Sequence, residues 1–218
     1  MQIAILLYDR FTALDAIGPY EVLSRLPDST VVFAARQAGP VTADTGMLSV
    51  VAEAAIGDVP HPDIVVIPGG PGPSTEAQMH DGQVLPWLRA IDEHTSVTTS
   101  VCTGSLILGA AGLLAGRRAT SHWLALERLA DFGAEPVSKR VVIDGKYITA
   151  AGVSAGIDMA LELAGRIAGR DAAQSIQLMM EYDPQPPYSA GSPRTAPADL
   201  VTRIRLGDRN PSSGRAAS

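Results

Sequence analysis

The 218-residue chain is long enough to bury a full hydrophobic core, and 46% hydrophobic against 18% charged residues describes a globular protein, not a disordered one. A net charge of −6 argues against nucleic acid as a partner. One cysteine, Cys102, excludes an internal disulfide; with no signal-like leader in "MQIAILLYDRF" and no apolar run of the roughly 20 residues a bilayer needs, the expectation is a soluble cytoplasmic protein with no membrane partner.

In chain order, "IAILLY" is a short continuous apolar run, the pattern of a strand buried on both faces. "LDAIGPYEVLSRL" reads as a helix with apolar positions Ile17, Val22, Leu23 and Leu26. Its Gly18-Pro19 pair puts the start near Pro19, since proline suits a first turn, and leaves Asp15 in the loop ahead. "STVVFAARQ" is a second strand, and "DIVVIPGG" a third that runs into the glycine-rich turn "PGGPGPS". A helix over "QVLPWLRAIDEH", the strand "SVTTSV" and the apolar helix "TGSLILGAAGLLAG" follow. This alternation predicts an α/β fold with a mostly parallel sheet and helices on both faces. "KRVVIDGKYITAAG" interrupts it with a hairpin signal, Asp144-Gly145 between two β-rich runs.

Two more helices are expected over "AGIDMALELAGRIAG" and "DAAQSIQLMMEY", the second opened by Asp171 and Gln174 at capping-box spacing. Leu178, Met179 and Met180 fit a packing face, as core or subunit contact. From "DPQPPYSAGSPRTAP" onward the composition does not suit a regular core element and predicts an extended arm up to residue 205, and residues 206–218 offer little apolar surface against their ordering entropy, predicting a disordered tail.

In open parallel sheets, ligands bind at the carboxyl ends of strands. Asp15 follows the first strand, Gly69-Gly70 the third, and Cys102 closes "SVTTSV", so the three can converge. At a strand-to-helix turn the helix dipole and unpaired amides favour a thiolate, while the amides of Gly70 and Thr103 suit a developing negative charge. Free cysteine is equally a common core residue, and Asp15 equally a helix cap, so both roles stay open on these residues alone. His122 is the best histidine for a base but reads more naturally as a structural group at a helix start; His61, His80 and His94 read as surface residues. No histidine pair has metal-ligand spacing, so neither metal nor cofactor is expected.

Taken together, "LDAIGPYEVL", "DIVVIPGGPG", "SVCTGSLILGAAGLLAGRRATSHW" and "AAGVSAGIDMALELA" resemble the ThiJ/PfpI superfamily, with its glutamine amidotransferase-like fold. The resemblance spans residues 1–205 as a single domain that includes the Pro-rich arm. "RATSHW", "LMMEYDPQPPYSAGSP" and "TAP" are most similar to the isonitrile (isocyanide) hydratase subgroup. The resemblance implies a flavodoxin-like three-layer sandwich, a homodimer, and a cofactor-free lyase acting on a small-molecule isocyanide. It also implies a nucleophilic Cys102 with Asp15 as general acid and base through a thioimidate. Val153, whose amide "AAGVSAG" could bring toward the thiolate, and Tyr182 are further pocket candidates. PfpI-type peptidases carry histidine after the cysteine where this chain has Thr103, and the glutaminase His-x-Glu pair is absent from the sequence. The competing readings are a glyoxalase-like enzyme acting on 2-oxoaldehydes and a cysteine-based redox sensor.

Overall fold

The computed structural model describes residues 1–207. It divides into two compact units, Met1–Glu181 and a second that begins at Tyr182. In the first, β1 (Gln2–Leu6) leads to α1 (Ala13–Leu23) and β2 (Thr30–Ala35), then to a hairpin of β3 (Gly39–Thr42) and β4 (Ser49–Ala52) and the short β5 (Ala54–Ala55). β6 (Ile64–Ile67), α2 (Gly72–Met79), α3 (Val84–Asp92), β7 (Val97–Val101) and α4 (Gly104–Ala110) follow. Next come β8 (Arg118–Ala119), a 3-10 helix over Leu126–Phe132 and β9 (Glu135–Pro136). The hairpin of β10 (Val141–Asp144) and β11 (Tyr147–Ala150) precedes α5 (Ala155–Ala168) and α6 (Arg170–Met179).

The sheet order is β10-β11-β7-β6-β1-β2-β5, parallel throughout except for β10 against β11. Ile3 to Leu6 and Ile64 to Ile67 are fully buried, which is why these strands read as unbroken apolar runs and not as alternating ones. α1 packs against α5, and α4 against α2, α3 and the 3-10 helix, so that helices cover both faces of a flavodoxin-like three-layer sandwich. The chain leaves β1 toward β2 on one side and returns through β6 on the other. That reversal puts a crevice at the carboxyl ends of β1, β6 and β7.

Several boundaries differ from the sequence reading. α1 begins at Ala13, so Asp15 lies in its first turn and Pro19 in its interior. The proline ring is accommodated against Gly156 of α5, where a Cβ would come within 3.2 Å of Pro19 Cγ. α4 stops at Ala110 because Gly112 takes a left-handed turn (φ 82°). α6 starts at Arg170 from Gly169 with no side-chain cap, so Asp171 is a first-turn acid, not a capping-box residue. Just past α6, Met180 packs against the core, but Leu178 and Met179 at the end of the helix are 80% and 76% exposed and are not core. The second unit contains α7 (Ala198–Arg205), a helix within the stretch expected as an extended arm. From residue 208 on, the expected tail lies outside the described residues. Among the described residues, no helix is long and apolar enough to cross a membrane.

Candidate active site

Cys102 follows β7 directly and adopts φ 58°, the left-handed region that non-glycine residues rarely enter. Its backbone is held from both sides. The amide donates to the carbonyls of Ala150 and Ala151 at 3.0 Å each, and the carbonyl accepts from Ser105 Oγ at 3.1 Å and Ser121 Oγ at 3.0 Å. Such over-determination is what keeps a strained conformation in place. Two glycines let the neighbouring turns close on it. A Cβ on Gly104 would lie 2.1 Å from the Ile67 carbonyl oxygen, and one on Gly69 would lie 2.6 Å from the Thr103 nitrogen and 2.9 Å from Asp15 Oδ2.

Asp15, Gly69, Gly70, Cys102 and Thr103 therefore come together at the ends of β1, β6 and β7. Asp15 is fully buried and accepts the Gly69 N–H on Oδ2 at 2.9 Å. Asp15 Oδ1 is buried without a hydrogen-bond partner among the described residues, and Cys102 is close enough to act on the carboxyl electrostatically. The backbone amides of Val153 and Thr103 act on the Cys102 sulfur, each favouring its charged form. The Gly70 amide, expected to face a substrate, is engaged instead: it donates to Thr103 Oγ1 at 2.9 Å. Thr75 Oγ1, 2.9 Å from Thr103 Oγ1 and 3.0 Å from the Gly70 carbonyl, ties α2 into the same hydroxyl cluster. Tyr8, at the end of β1, donates its hydroxyl to the Pro68 carbonyl at 3.0 Å and is coupled electrostatically to both Asp15 and Cys102.

The electrostatics invert one sequence expectation. Burial, reinforced by the charge of Asp15, pushes the Cys102 thiol up to about 12, against the pull of the Val153 and Thr103 amides. Burial also raises Asp15 to about 7, with Asp44 adding to the rise while the Gly69 amide and the Cys102 thiol oppose it. The strand-to-helix turn does aim amides at the sulfur, but desolvation beside a carboxylate outweighs them. Burial and the neighbouring carboxylate thus favour the protonated thiol, and burial raises Asp15 toward neutrality.

Tyr8, Thr75, Asp44 and Ser121 are neighbours of the site that the sequence reading did not select. Tyr8 carried a weak signal, as a residue with a polar tip where an otherwise apolar strand run ends. His122 is half-buried, its Nδ1 accepting the Leu124 N–H at 3.3 Å and its Cδ2 2.8 Å from where a Cβ on Gly152 would stand. The His61 and His94 rings meet edge to face at 4.6 Å on the surface, and His80 is exposed beside Glu76. Tyr182 is half-buried and belongs to the second unit. Among the described residues, no group of three or more His, Cys, Asp or Glu side chains could hold a metal ion.

The DJ-1/PfpI family matches residues 1–166. The chain is 45% identical over 205 residues to the isonitrile hydratase of Pseudomonas putida, covering 94% of this chain and 89% of that protein. A ThiJ/PfpI family protein from Pseudomonas syringae superposes with a TM-score of 0.91 at 41% identity, over 94% of this chain and 84% of its own. Drosophila melanogaster DJ-1beta superposes with a TM-score of 0.76 over 84% and 98% of the two chains, at 22% identity, a likeness of fold. With three-quarters of its length matched by the family and close relatives spanning nearly all of it, this chain belongs to the DJ-1/PfpI family.

Proposed function

We propose that the protein hydrates an isocyanide to an N-substituted formamide, with Cys102 as nucleophile and Asp15 as general acid and base. The observation that carries the reaction is 45% identity over 94% of the chain to a protein named isonitrile hydratase. The chemistry is supported by a buried thiol and a buried carboxyl that influence each other's charge, of which the carboxyl is poised near 7.

In the first step Asp15, as carboxylate, takes the thiol proton while sulfur attacks the terminal isocyanide carbon. It then delivers that proton to the same carbon. One S–H bond breaks, one C–S and one C–H bond form, and the product is a thioimidate on Cys102. In the second step Asp15 takes a proton from water as the hydroxyl oxygen adds to the thioimidate carbon, and passes it to nitrogen. Collapse breaks the C–S bond, the hydroxyl proton returns to sulfur through Asp15, and the formamide leaves. Net, one water is added and the enzyme is regenerated. The amides of Thr103 and Val153 stabilise the sulfur while it carries charge, and Gly70 contributes by holding the Thr103 hydroxyl. The cycle calls on no cofactor.

Incubation with a simple alkyl or aryl isocyanide should yield the formamide. Absence of product from the unmodified protein, or undiminished turnover by Cys102→Ala, would sink the proposal. The reading extends to a cytoplasmic homodimer, for which the lone cysteine and the exposed Leu178 and Met179 are the support. Light scattering on the eluting protein reads the dimer directly.

A further inference from the structure

Thr12 stands at the N-cap of α1 in extended backbone (φ −75°, ψ 115°), yet its hydroxyl makes no capping hydrogen bond. Threonine at that position ordinarily satisfies an orphan helix amide. Here Oγ1 donates to Asp44 Oδ2 at 3.1 Å. Asp44 lies just beyond β3, in the turn of the β3–β4 hairpin. Its Oδ1 accepts the Thr45 N–H at 2.9 Å, and its own N–H donates to the Phe11 carbonyl at 2.9 Å.

From Thr12 a closed ring of hydrogen bonds reaches the reacting carboxyl. The Thr12 N–H donates to the Gly69 carbonyl at 2.8 Å, the Gly69 N–H donates to Asp15 Oδ2 at 2.9 Å, and the Asp15 N–H donates to the Thr12 carbonyl at 3.0 Å. The cap has been diverted from the helix to hold a second carboxylate against this ring.

We propose that Asp44 is a positioning residue of the active site: seated on Thr12, it acts on the reaction through Asp15, bracing that carboxyl and supplying a like charge beside it. This rests on the hydration reading above. The direction of its influence is that of any neighbouring negative charge, which makes the Asp15 carboxylate hold a proton more strongly and so a stronger base for the thiol proton.

Cys102 faces Asp15 from the elbow, and Tyr8 acts on it from the end of β1. Arg10 donates to the Asp44 carbonyl at 3.2 Å, not to its carboxylate. On α5, which packs along α1, Asp158 and Glu162 are paired with Arg140 and Arg166.

The test compares wild type, Asp44→Asn and Thr12→Val. Asparagine keeps an acceptor for Thr12 and removes the charge; valine removes the tether. Carbon-13 titration of the Asp15 carboxyl, assigned by its loss in Asp15→Asn, is read without substrate, and the pH dependence of kcat/KM for an isocyanide is read beside it. In Asp44→Asn both midpoints should fall by roughly half a unit to one unit. In Thr12→Val kcat/KM should fall by about tenfold, with Thr12→Ser restoring it, as expected when a carboxyl loses its orientation. An Asp15 carboxyl midpoint in Asp44→Asn within about 0.2 units of wild type overturns the proposal, whatever happens to turnover. Should wild type give no formamide, the hydration reading fails alone, because the carboxyl titration still decides the influence of Asp44.

Discussion

Replacing Asp15 with asparagine should stabilise the fold at alkaline pH while abolishing turnover. The Asp15 carboxyl moves from an ordinary value of 3.8 to about 7 on folding, chiefly through burial. Because the folded protein binds this proton more tightly than the unfolded chain does, the contribution of Asp15 to stability is highest below pH 4. It falls as pH rises toward 7, and is level above that. Integrated between pH 5 and pH 8, the difference amounts to about 2 to 3 kcal/mol lost by the wild type. Asparagine has no charge to bury and keeps an oxygen for the Gly69 N–H. Urea unfolding of both proteins at pH 5 and pH 8 measures the effect: the stability difference, variant minus wild type, should grow by that amount. Parallel pH dependences would refute the reasoning, because Asp15 would then titrate alike in the folded and unfolded chains.

Gly104→Ala should cost at least about 2 kcal/mol in urea unfolding and disturb the elbow, since the new methyl meets a backbone carbonyl at 2.1 Å and no flexible side chain can yield; a wild-type midpoint would contradict this. Asp92→Ala is the opposite control. At the amino ends of β7 and β11, Asp92 accepts from Thr98 Oγ1 and the Tyr147 hydroxyl at 2.7 Å each and pairs with Lys146 at 3.1 Å. Its loss should cost about 2 to 4 kcal/mol and leave the rate per folded molecule unchanged; a changed rate constant at saturating substrate would contradict that separation.

The convergence of Asp15, Gly69, Gly70 and Cys102 was legible because it follows from strand order alone. Buried parallel strands announce themselves as apolar runs, and their carboxyl ends share one edge. What local sequence could not supply were the partners that arrive from elsewhere. Gly18-Pro19 mimics a helix start, whereas α1 begins six residues before Pro19 and carries the proline in its interior against Gly156 of α5. Thr103 and Gly70 both looked like free amides, yet the threonine hydroxyl, itself bonded to Thr75, occupies the second. Asp44 reads locally as a turn residue, and nothing in "TADTG" reveals that Thr12 reaches it. The Cys102 expectation inverted for a related reason. Helix dipole and turn geometry are local and favour thiolate, whereas the burial that wins is a property of the whole fold.

The central claim, that Cys102 carries the isocyanide carbon while Asp15 moves the proton, is tested most directly by mixing protein with an aryl isocyanide, quenching in acid at successive times and weighing the Cys102 peptide. The account predicts an added mass equal to the whole isocyanide on that peptide, decaying as the formamide appears, with neither species formed by Cys102→Ala. Formamide produced at the wild-type rate by Cys102→Ala, with no adduct on any peptide, would contradict it.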